Sequence, residues 1–407
     1  MTDTAPPVKQ SNASAGAQGS LWVLIVLACV STLGPFAIDM HLPALPAMAE
    51  TLNTTSAMMQ LTISAFLLGG AFGPLFLAPL SDAYGRKPVQ TGLLILFIAV
   101  TAGCAMADTV EELIALRFVQ SVAGGAAMAS TRAMLSDLYK GDALSRASSI
   151  LMSVFTIAPV VAPLIGAWVL EALGWRWVFW TLGLVAIASA LLMQTLPETL
   201  PPERRKPYRP RTVIVGYWEI IKSRAARRYL ASVMSFAFMF FAMLSVSPFI
   251  YIEHFGMSET AFAWVFAAMS AAAIGGNYVN AKLVFRFGYD RMLIGATAAL
   301  AVLALIMAVV VATAAGGWIG VFVVMVWVMG VFHVSLANTM AGLMEAKGER
   351  AGSASAAMSF CRWIGGAAGA VTVGAFNTSH PWPFALVLGV AAVAGALSLM
   401  IGRPAKS

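Results

Sequence analysis

The sequence predicts an all-α membrane protein whose twelve spanning helices form two similar bundles of six. The 407 residues are 60% hydrophobic and only 11% charged, whereas soluble domains carry about 25% charged residues. Twelve mostly apolar runs are each about 20 residues long, which is enough to cross a bilayer. Short turn motifs also recur about half a chain apart. These three features together predict a helical membrane architecture in two repeated halves.

Each predicted span is a mostly apolar run that is bounded by charged residues, glycine or proline. The sixth opens with Trp175-Arg176-Trp177, a sequence typical of an anchor at the membrane interface. The predicted spans are 21–42, 58–80, 89–107, 113–135, 147–170, 175–195, 229–252, 260–284, 292–314, 318–344, 351–375 and 382–402.

Basic and acidic residues gather at opposite ends of the predicted bundles. Connections from even-numbered to odd-numbered spans carry many basic residues, including Lys140 and Arg291, and we name this side the basic end. The opposite side, the acidic end, carries Glu112 and Glu253, with Arg176 as its only basic residue. Because Lys and Arg collect on cytoplasmic loops, we expect both termini in the cytoplasm. The net charge of +7 then reflects topology, and we expect no nucleic-acid partner.

The two halves resemble each other at their turns. Gly85 and Gly288 are 203 residues apart, and Lys140 and Lys347 are 207 apart. Two parallel repeats place a binding site at their interface, near the middle of the bilayer. The predicted organisation is a disordered tail 1–20, a six-helix bundle 21–196, a proline-rich linker 197–228, a second bundle 229–402 and a tail 403–407.

Two ionisable residues inside the spans of the first half point to ion or substrate movement. Asp39 lies in span 1, where a carboxylate buried among apolar residues can be neutral near pH 7 and exchange a proton. Arg117 lies in span 4, and such residues are costly in a membrane and usually mark functional paths. Two structural alternatives remain open at this point. Asp39 could cap the break at Leu42-Pro43, and Arg117 could reach the outer surface.

Further residues predict a substrate cavity with a soft apolar lining. Arg362 in span 11 is the second buried cation, and it could instead be held for structure by a backbone carbonyl. His333 and Asn338 could hydrogen-bond a substrate or join neighbouring helices. Gln120 shares a helix face with Arg117. The predicted cavity residues are Phe36, Met40, Phe66, Gln120, Phe249, Tyr251, His333, Asn338 and Arg362.

Two local motifs predict conformational roles. In Ser81–Pro88, Gly85 allows a tight turn between two spans because glycine adopts positive φ readily. In span 5, Pro159 and Pro163 break backbone hydrogen bonds, and Gly166 belongs to a face of small residues that allows close helix approach. A kinked helix with a purely structural role is the alternative.

These motifs resemble the major facilitator superfamily, whose inner turn reads Gly-x-Leu-x-Asp-x-x-Gly-Arg-Lys. Here the stretch is Ala78–Lys87, with alanine for the first glycine and with Asp82, Gly85 and Arg86 in place. The span-4 motif Arg-x-x-Gln appears at Arg117. The resemblance implies the major facilitator fold, in which Asp82 and Arg86 latch the two halves in one conformation.

More narrowly, the chain resembles the twelve-span drug:proton antiporters of the bicyclomycin-resistance and chloramphenicol-efflux subfamily. Its IDMYLPALP box appears as Ile38–Pro46, with His41 in place of tyrosine, and its span-5 motif matches at Pro163 and Gly166. The resemblance implies alternating access, in which Asp39 binds a proton from outside and releases substrate. Arg117 would tune Asp39 or pair with a neighbouring carboxyl group.

The predicted function is therefore export of small apolar or weakly polar compounds, phenicol-like or bicyclomycin-like, in exchange for H⁺. We expect a monomer that depends on the proton gradient and on no cofactor. The alternative within this fold is a sugar or amino-acid exporter or facilitator, which would need a more polar cavity. A membrane enzyme would need clustered catalytic or metal-binding groups, but the four histidines are scattered singly, so we expect no enzyme and no metal. A sensor without transport is a further alternative.

Overall fold

The computed structural model describes residues 21–208, 210–347, 351–376 and 380–400, and most of these residues are helical. Six long helices form the first bundle. They are α1 (Leu21–Asp39), α2 (Ser56–Phe76), α3 (Arg86–Met106), α4 (Val110–Leu138), α5 (Gly141–Leu173) and α6 (Trp175–Gln194). Short helical segments follow α1 at Leu42–Ala44 and Leu45–Thr51, and another follows α2 at Ala78–Tyr84.

The second bundle also consists of six long helices. They are α7 (Arg224–Pro248), α8 (Glu259–Phe287), α9 (Tyr289–Thr313), α10 (Gly317–Lys347), α11 (Ala351–Gly374) and α12 (Trp382–Met400). A π-helical turn, Phe249–His254, extends α7 at the acidic end.

Eleven of these twelve helices are long and apolar enough to cross a membrane. The helix that falls short among the described residues is α11, because it is rich in glycine, alanine and serine and contains Arg362. It packs against α7 of its own bundle and α2 of the other, so much of its surface contacts protein. The chain is an all-α membrane protein, and its described residues include twelve long helices in two bundles, as predicted.

The connection between α2 and α3 turns at Gly85, as the sequence predicted. Gly85 has a φ of 104°, and α3 begins at the next residue, Arg86. Gly288 has a φ of 77° at the equivalent connection between α8 and α9. Positive φ values favour glycine, which has no Cβ. The sequence repeat therefore corresponds to the same turn in both bundles.

Glu198, which follows α6, binds the first amides of α3. Its Oε1 accepts a hydrogen bond from the Arg86 N–H at 2.9 Å, and its Oε2 accepts one from the Lys87 N–H at 3.2 Å. The first amides of a helix have no partner within the helix, and a carboxylate at this end is favourable. Glu198 thereby fastens the start of the linker to the inner turn, which sequence analysis did not predict.

We expect Glu198→Ala to lower the free energy of unfolding by about 1 kcal/mol, the typical effect of losing an N-terminal cap. The measurement is thermal unfolding of the purified protein in detergent. Glu203→Ala is the matched control, since Glu203 is exposed in the same segment. Equal melting temperatures for the two variants would show that the cap contributes nothing.

The two bundles contact each other through α2 with α11 and through α5 with α8. At the acidic end this interface is closed. Leu42–Ala44 contacts both α5 and α8, and Phe249–His254 contacts Leu45–Thr51. The Thr260 hydroxyl also donates a hydrogen bond to Glu171 Oε2 at 2.9 Å, which joins the two bundles. The space between the bundles therefore extends from the middle of the molecule toward the basic end.

The predicted linker 197–228 is partly helical. It contains the linker helix Pro210–Lys222, which packs on α11, and its last residues, from Arg224 onward, begin α7. The predicted terminal tails, 1–20 and 403–407, lie outside the described residues. We keep the predicted residue limits of the two bundles as a proposal.

Candidate functional site

A cavity of about 620 Å³ lies between the two bundles. Four helices of each bundle form its wall, namely α1, α2, α4 and α5 with α7, α8, α10 and α11. The wall is mostly apolar, with phenylalanine and methionine side chains that can adapt to different ligands. Ligand pockets for drug-sized molecules have volumes of about 300–1,000 Å³, so this cavity has room for one such molecule.

Asp39 lies in the cavity wall at the end of α1. Its neighbours in the wall include Pro35, Ile38 and Phe66, and only 5% of the residue is exposed. Among the described residues that line the cavity it is the only carboxylate. None of the ion pairs between described residues includes it. The geometry is thus an isolated acid at the edge of a largely apolar void.

Arg117 is fully buried where α4 contacts α1 and α2. Its Nη1 donates a hydrogen bond to Gln120 Oε1 at 2.6 Å, and Gln120 Nε2 donates one to Thr101 Oγ1 at 2.7 Å. The guanidinium carbon lies 4.3 Å from the centre of the Phe66 ring. Arg117 and Gln120 together thus connect α4 with α2 and α3. Phe66 also lines the cavity.

The polar group that approaches Arg117 from α1 is a histidine rather than a carboxylate. Arg117 Nη2 lies 3.4 Å from both ring nitrogens of His41, and within the described parts of the chain no acidic group lies within 4 Å of it. The implied pairing of Arg117 with a carboxyl group therefore requires correction for this conformation. His41 occupies that place because it stands two residues after Asp39, beyond the end of α1.

Three of the nine predicted cavity residues line the cavity, and these are Phe66, His333 and Arg362. The other six lie away from its wall in this conformation, and their assignment is corrected. They are Phe36, Met40, Gln120, Phe249, Tyr251 and Asn338.

The six excluded residues occupy contacts between helices. Asn338 donates hydrogen bonds to Asn280 Oδ1 on α8 and to the Val334 carbonyl oxygen of its own helix. The bond to Asn280 joins α8 and α10, which was the alternative to substrate binding for this residue. Tyr251 packs against Phe262. Each helix turns only one face toward the cavity, and the type of a residue does not reveal the rotation of its helix.

Several residues of the wall were not predicted from the sequence. Arg132 on α4 is the most informative, because a cation in a membrane cavity is costly and therefore functional in most cases. It stands three residues before the end of the predicted span 113–135, and that position alone could have identified it. The others include Met128, Phe155, Phe240, Phe241 and Trp363.

The face of small residues on α5 packs directly against the end of α1. A Cβ atom on Gly166 would overlap the carbonyl oxygen of Met40, the residue after Asp39. Pro163 is buried on the same helix, while Pro159 lines the cavity. The absence of a side chain at Gly166 thus allows α5 to pack closely against the chain next to Asp39.

The charged turn between α2 and α3 forms a network within the first bundle. The Arg86 guanidinium lies 2.7 Å from Asp82 and 3.0 Å from Asp137, and its Nη1 donates a hydrogen bond to Ser81 Oγ. The implied latch between the halves is therefore not engaged in this conformation. In the second bundle, Asp290 lies two residues after the turn glycine, Gly288, and pairs with Arg228 of α7.

Twelve helices in two bundles, with a drug-sized cavity where the bundles meet, define a membrane transporter. The profile of the Major Facilitator Superfamily matches residues 27–370, so the chain belongs to this superfamily of transporters and is not an enzyme.

Relatives with named functions support the narrower resemblance. The bicyclomycin resistance protein homolog of Haemophilus influenzae is 29% identical over 92% of this chain and 94% of its own length. The chloramphenicol resistance protein of Pseudomonas aeruginosa is 30% identical over 76% of this chain and 74% of its own length. The predicted resemblance to the bicyclomycin-resistance and chloramphenicol-efflux subfamily is thereby confirmed.

A solved structure supports the fold. A bacterial homologue of the human lysosomal transporter Spinster, in an inward-facing and unoccupied conformation, matches 96% of this chain and 97% of its own length. The TM-score is 0.75 and the sequence identity is 16%. At this identity the likeness shows the fold alone, and it confirms the two-bundle architecture.

Proposed function

We propose that the protein exports small apolar or weakly polar compounds, phenicol-like or bicyclomycin-like, in exchange for protons. The observation that carries this proposal is the isolated carboxylate of Asp39 in the wall of a drug-sized apolar cavity. An ionisable group at such a place is costly and is retained where it serves transport. The names of the two bacterial resistance proteins support export of antibiotics of these classes.

In the proposed mechanism, the cavity takes substrate from the basic end. The acidic end is closed by the contacts of Leu42–Ala44 and by the Thr260–Glu171 hydrogen bond. Aromatic and methionine side chains then bind the apolar body of the substrate. The bundles rock about the cavity, so that the contacts at the acidic end open and those at the basic end close.

Proton exchange at Asp39 drives this cycle. When the cavity faces the side of high proton concentration, the carboxylate takes up a proton and the substrate leaves. When the cavity faces the other side, the proton leaves and a new substrate binds. Coupling arises because proton and substrate each change the relative stability of the two conformations.

We further propose that the basic end faces the cytoplasm of a bacterial inner membrane and that both termini lie on that side. The support is the excess of Lys and Arg on the short loops of this end. We also propose that the protein works as a monomer, because this chain supplies both of the bundles that the transport cycle requires.

The mostly apolar wall also supports a drug exporter over a sugar or amino-acid facilitator. Sugar recognition requires several convergent hydrogen-bonding groups. The predicted polar candidates Gln120 and Asn338 instead bond within the protein. The remaining polar groups, such as Asn277 and Ser270, are spread among apolar neighbours.

The proposal is tested in inside-out membrane vesicles that contain the protein. Respiration acidifies the vesicle interior, and a fluorescent dye reports the proton gradient. Addition of chloramphenicol or bicyclomycin is expected to release part of the gradient, because the transporter moves protons out as it moves drug in. Radiolabelled drug is expected to accumulate, and a protonophore is expected to prevent that accumulation.

Vesicles without the protein are the control for passive drug movement. Accumulation of drug that continues unchanged in the presence of the protonophore would refute proton coupling. Failure of both compounds to move or to dissipate the gradient would refute the proposed substrate class.

A further inference from the structure

Two arginines from opposite bundles face the central cavity. Arg132 belongs to α4 of the first bundle, and Arg362 belongs to α11 of the second. Both also line a second void of about 680 Å³, which reaches Asp82 and Tyr217 at the basic end. The two arginines therefore stand where the cavity opens toward the side from which substrate is proposed to come.

Neither arginine has an acidic partner within the described residues. None of the four ion pairs found there includes them. The guanidinium carbon of Arg132 lies 5.9 Å from the centre of the Phe155 ring, and that of Arg362 lies 5.2 Å from the centre of the Trp363 ring. An aromatic face attracts a cation but does not neutralise its charge.

The wall around the two arginines therefore carries two positive charges without an acidic partner among the described residues. The other charged groups that line the two voids are Asp39 in the first and Asp82 with Arg86 in the second. His333 on α10 lines the same cavity, and its Nδ1 donates to the Met329 carbonyl oxygen at 2.9 Å. The carboxylate of the wall, Asp39, pairs with neither arginine. Two cations without an acidic partner beside one void favour a ligand that brings a negative charge, because charge-assisted hydrogen bonds to guanidinium groups are strong.

We propose that Arg132 and Arg362 bind the anionic group of substrates that carry one negative charge on an apolar, aromatic body. A carboxylate placed between them accepts hydrogen bonds from both guanidinium forks, whose planar geometry matches that of a carboxylate. Phe155, Trp363 and Met128 provide the surface for the body. The inference rests on the proposed function in that it assumes that this cavity is the substrate site.

The location of the two arginines gives the site a second property. Because one belongs to each bundle, a bound anion bridges the bundles and stabilises the conformation in which both arginines face the same void. A neutral compound makes only the apolar contacts and lacks this bridge. A compound with a positive charge meets repulsion at the mouth of the cavity and is disfavoured.

The test compares chloramphenicol with its succinate ester, which has the same aromatic body and one carboxylate. The neutral acetate ester controls for the added bulk. Transport of the three radiolabelled compounds is measured in vesicles with the wild type, Arg132→Gln, Arg362→Gln and Arg362→Lys. Arg146→Gln is the matched control, since Arg146 is exposed on α5 and belongs to neither void. Size-exclusion profiles establish that each variant is folded.

We expect the KM for the succinate ester to rise at least tenfold in Arg132→Gln and in Arg362→Gln. The KM values for chloramphenicol and its acetate ester are expected to rise several-fold less, so the ratio of the KM for the charged ester to that for the neutral ester measures the contact with the anion. Arg362→Lys keeps the positive charge and should restore part of the affinity, which a merely structural role would not predict. The tenfold change corresponds to about 1.4 kcal/mol, as expected for a charge-assisted contact.

Equilibrium dialysis of the succinate ester against purified protein separates this inference from the proposed function. Ester binding that depends on both arginines, without transport of any compound, would support the anion site and refute the exporter. Two outcomes would refute the anion site and leave the exporter intact. In both, the wild type transports chloramphenicol. In one the succinate ester does not bind, and in the other it binds equally well to the wild type and the glutamine variants.

Discussion

Asp39→Asn is expected to reduce proton-driven export of chloramphenicol to the level of membranes without the protein. Asparagine has nearly the same shape as aspartate, but its amide neither takes up nor releases a proton near neutral pH. The cavity would therefore keep its form and lose its coupling. Accumulation of radiolabelled drug in energised inside-out vesicles measures this loss directly.

Downhill exchange of labelled for unlabelled drug distinguishes lost coupling from misfolding. We expect Asp39→Asn to retain this exchange, because it requires substrate binding and alternating access but no proton. Asp39→Glu should retain part of the driven transport, since it keeps an ionisable group at the site. Glu111→Gln is the control, as Glu111 is an exposed acid at the start of α4. Driven transport by Asp39→Asn at the wild-type rate would exclude Asp39 as the coupling site.

Gly166→Ala is expected to abolish transport and to destabilise the protein by about 1–3 kcal/mol, the usual effect of forcing an extra group into a packed interface. The added Cβ would overlap the Met40 carbonyl oxygen. Backbone cannot move aside as a flexible side chain can, so α5 must withdraw from the end of α1. Thermal unfolding in detergent measures the stability, and vesicle uptake measures the transport.

Gly389→Ala is the matched control for this substitution. Gly389 lies inside α12, and nothing lies within 4 Å of an added Cβ there. Alanine is intrinsically the better helix former, by up to about 1 kcal/mol, so we expect equal or slightly greater stability and unchanged transport. Equal stability and transport in the two variants would refute the claim that Gly166 is required for close packing of α5 on α1.

Local features of the sequence predicted much of the fold. Apolar runs of spanning length identified the twelve helices, since the bilayer requires about 20 such residues for each crossing. Gly85 and Gly288 identified the paired turns because a positive φ selects for glycine. Helix α11 is less apolar than the other eleven, but the sequence still predicted it. Its only charged residue, Arg362, lies within a long run of small and apolar residues.

The candidate site was predicted less completely, and the reason is geometric. Asp39 was identified because a carboxylate is conspicuous in an apolar run, and the structure places it in the cavity wall. By residue type, Met40 and Phe249 were equally suitable for lining the cavity, yet in the structure they pack between helices. A rotation of 100° separates successive residues of a helix, so cavity lining depends on how each helix is turned by its neighbours.

Local sequence patterns were enough to identify the long helices, their grouping in two repeats and the acidic residue of the site, because hydropathy, charge and turn preferences act over a few residues. The approach of Arg117 to His41 and the capping of α3 by Glu198 followed instead from helix packing. Only the tertiary structure brought Arg132 and Arg362 together in one cavity. These relations join residues that are far apart in the chain, so they arise from the packing of helices and cannot be derived from local spacing.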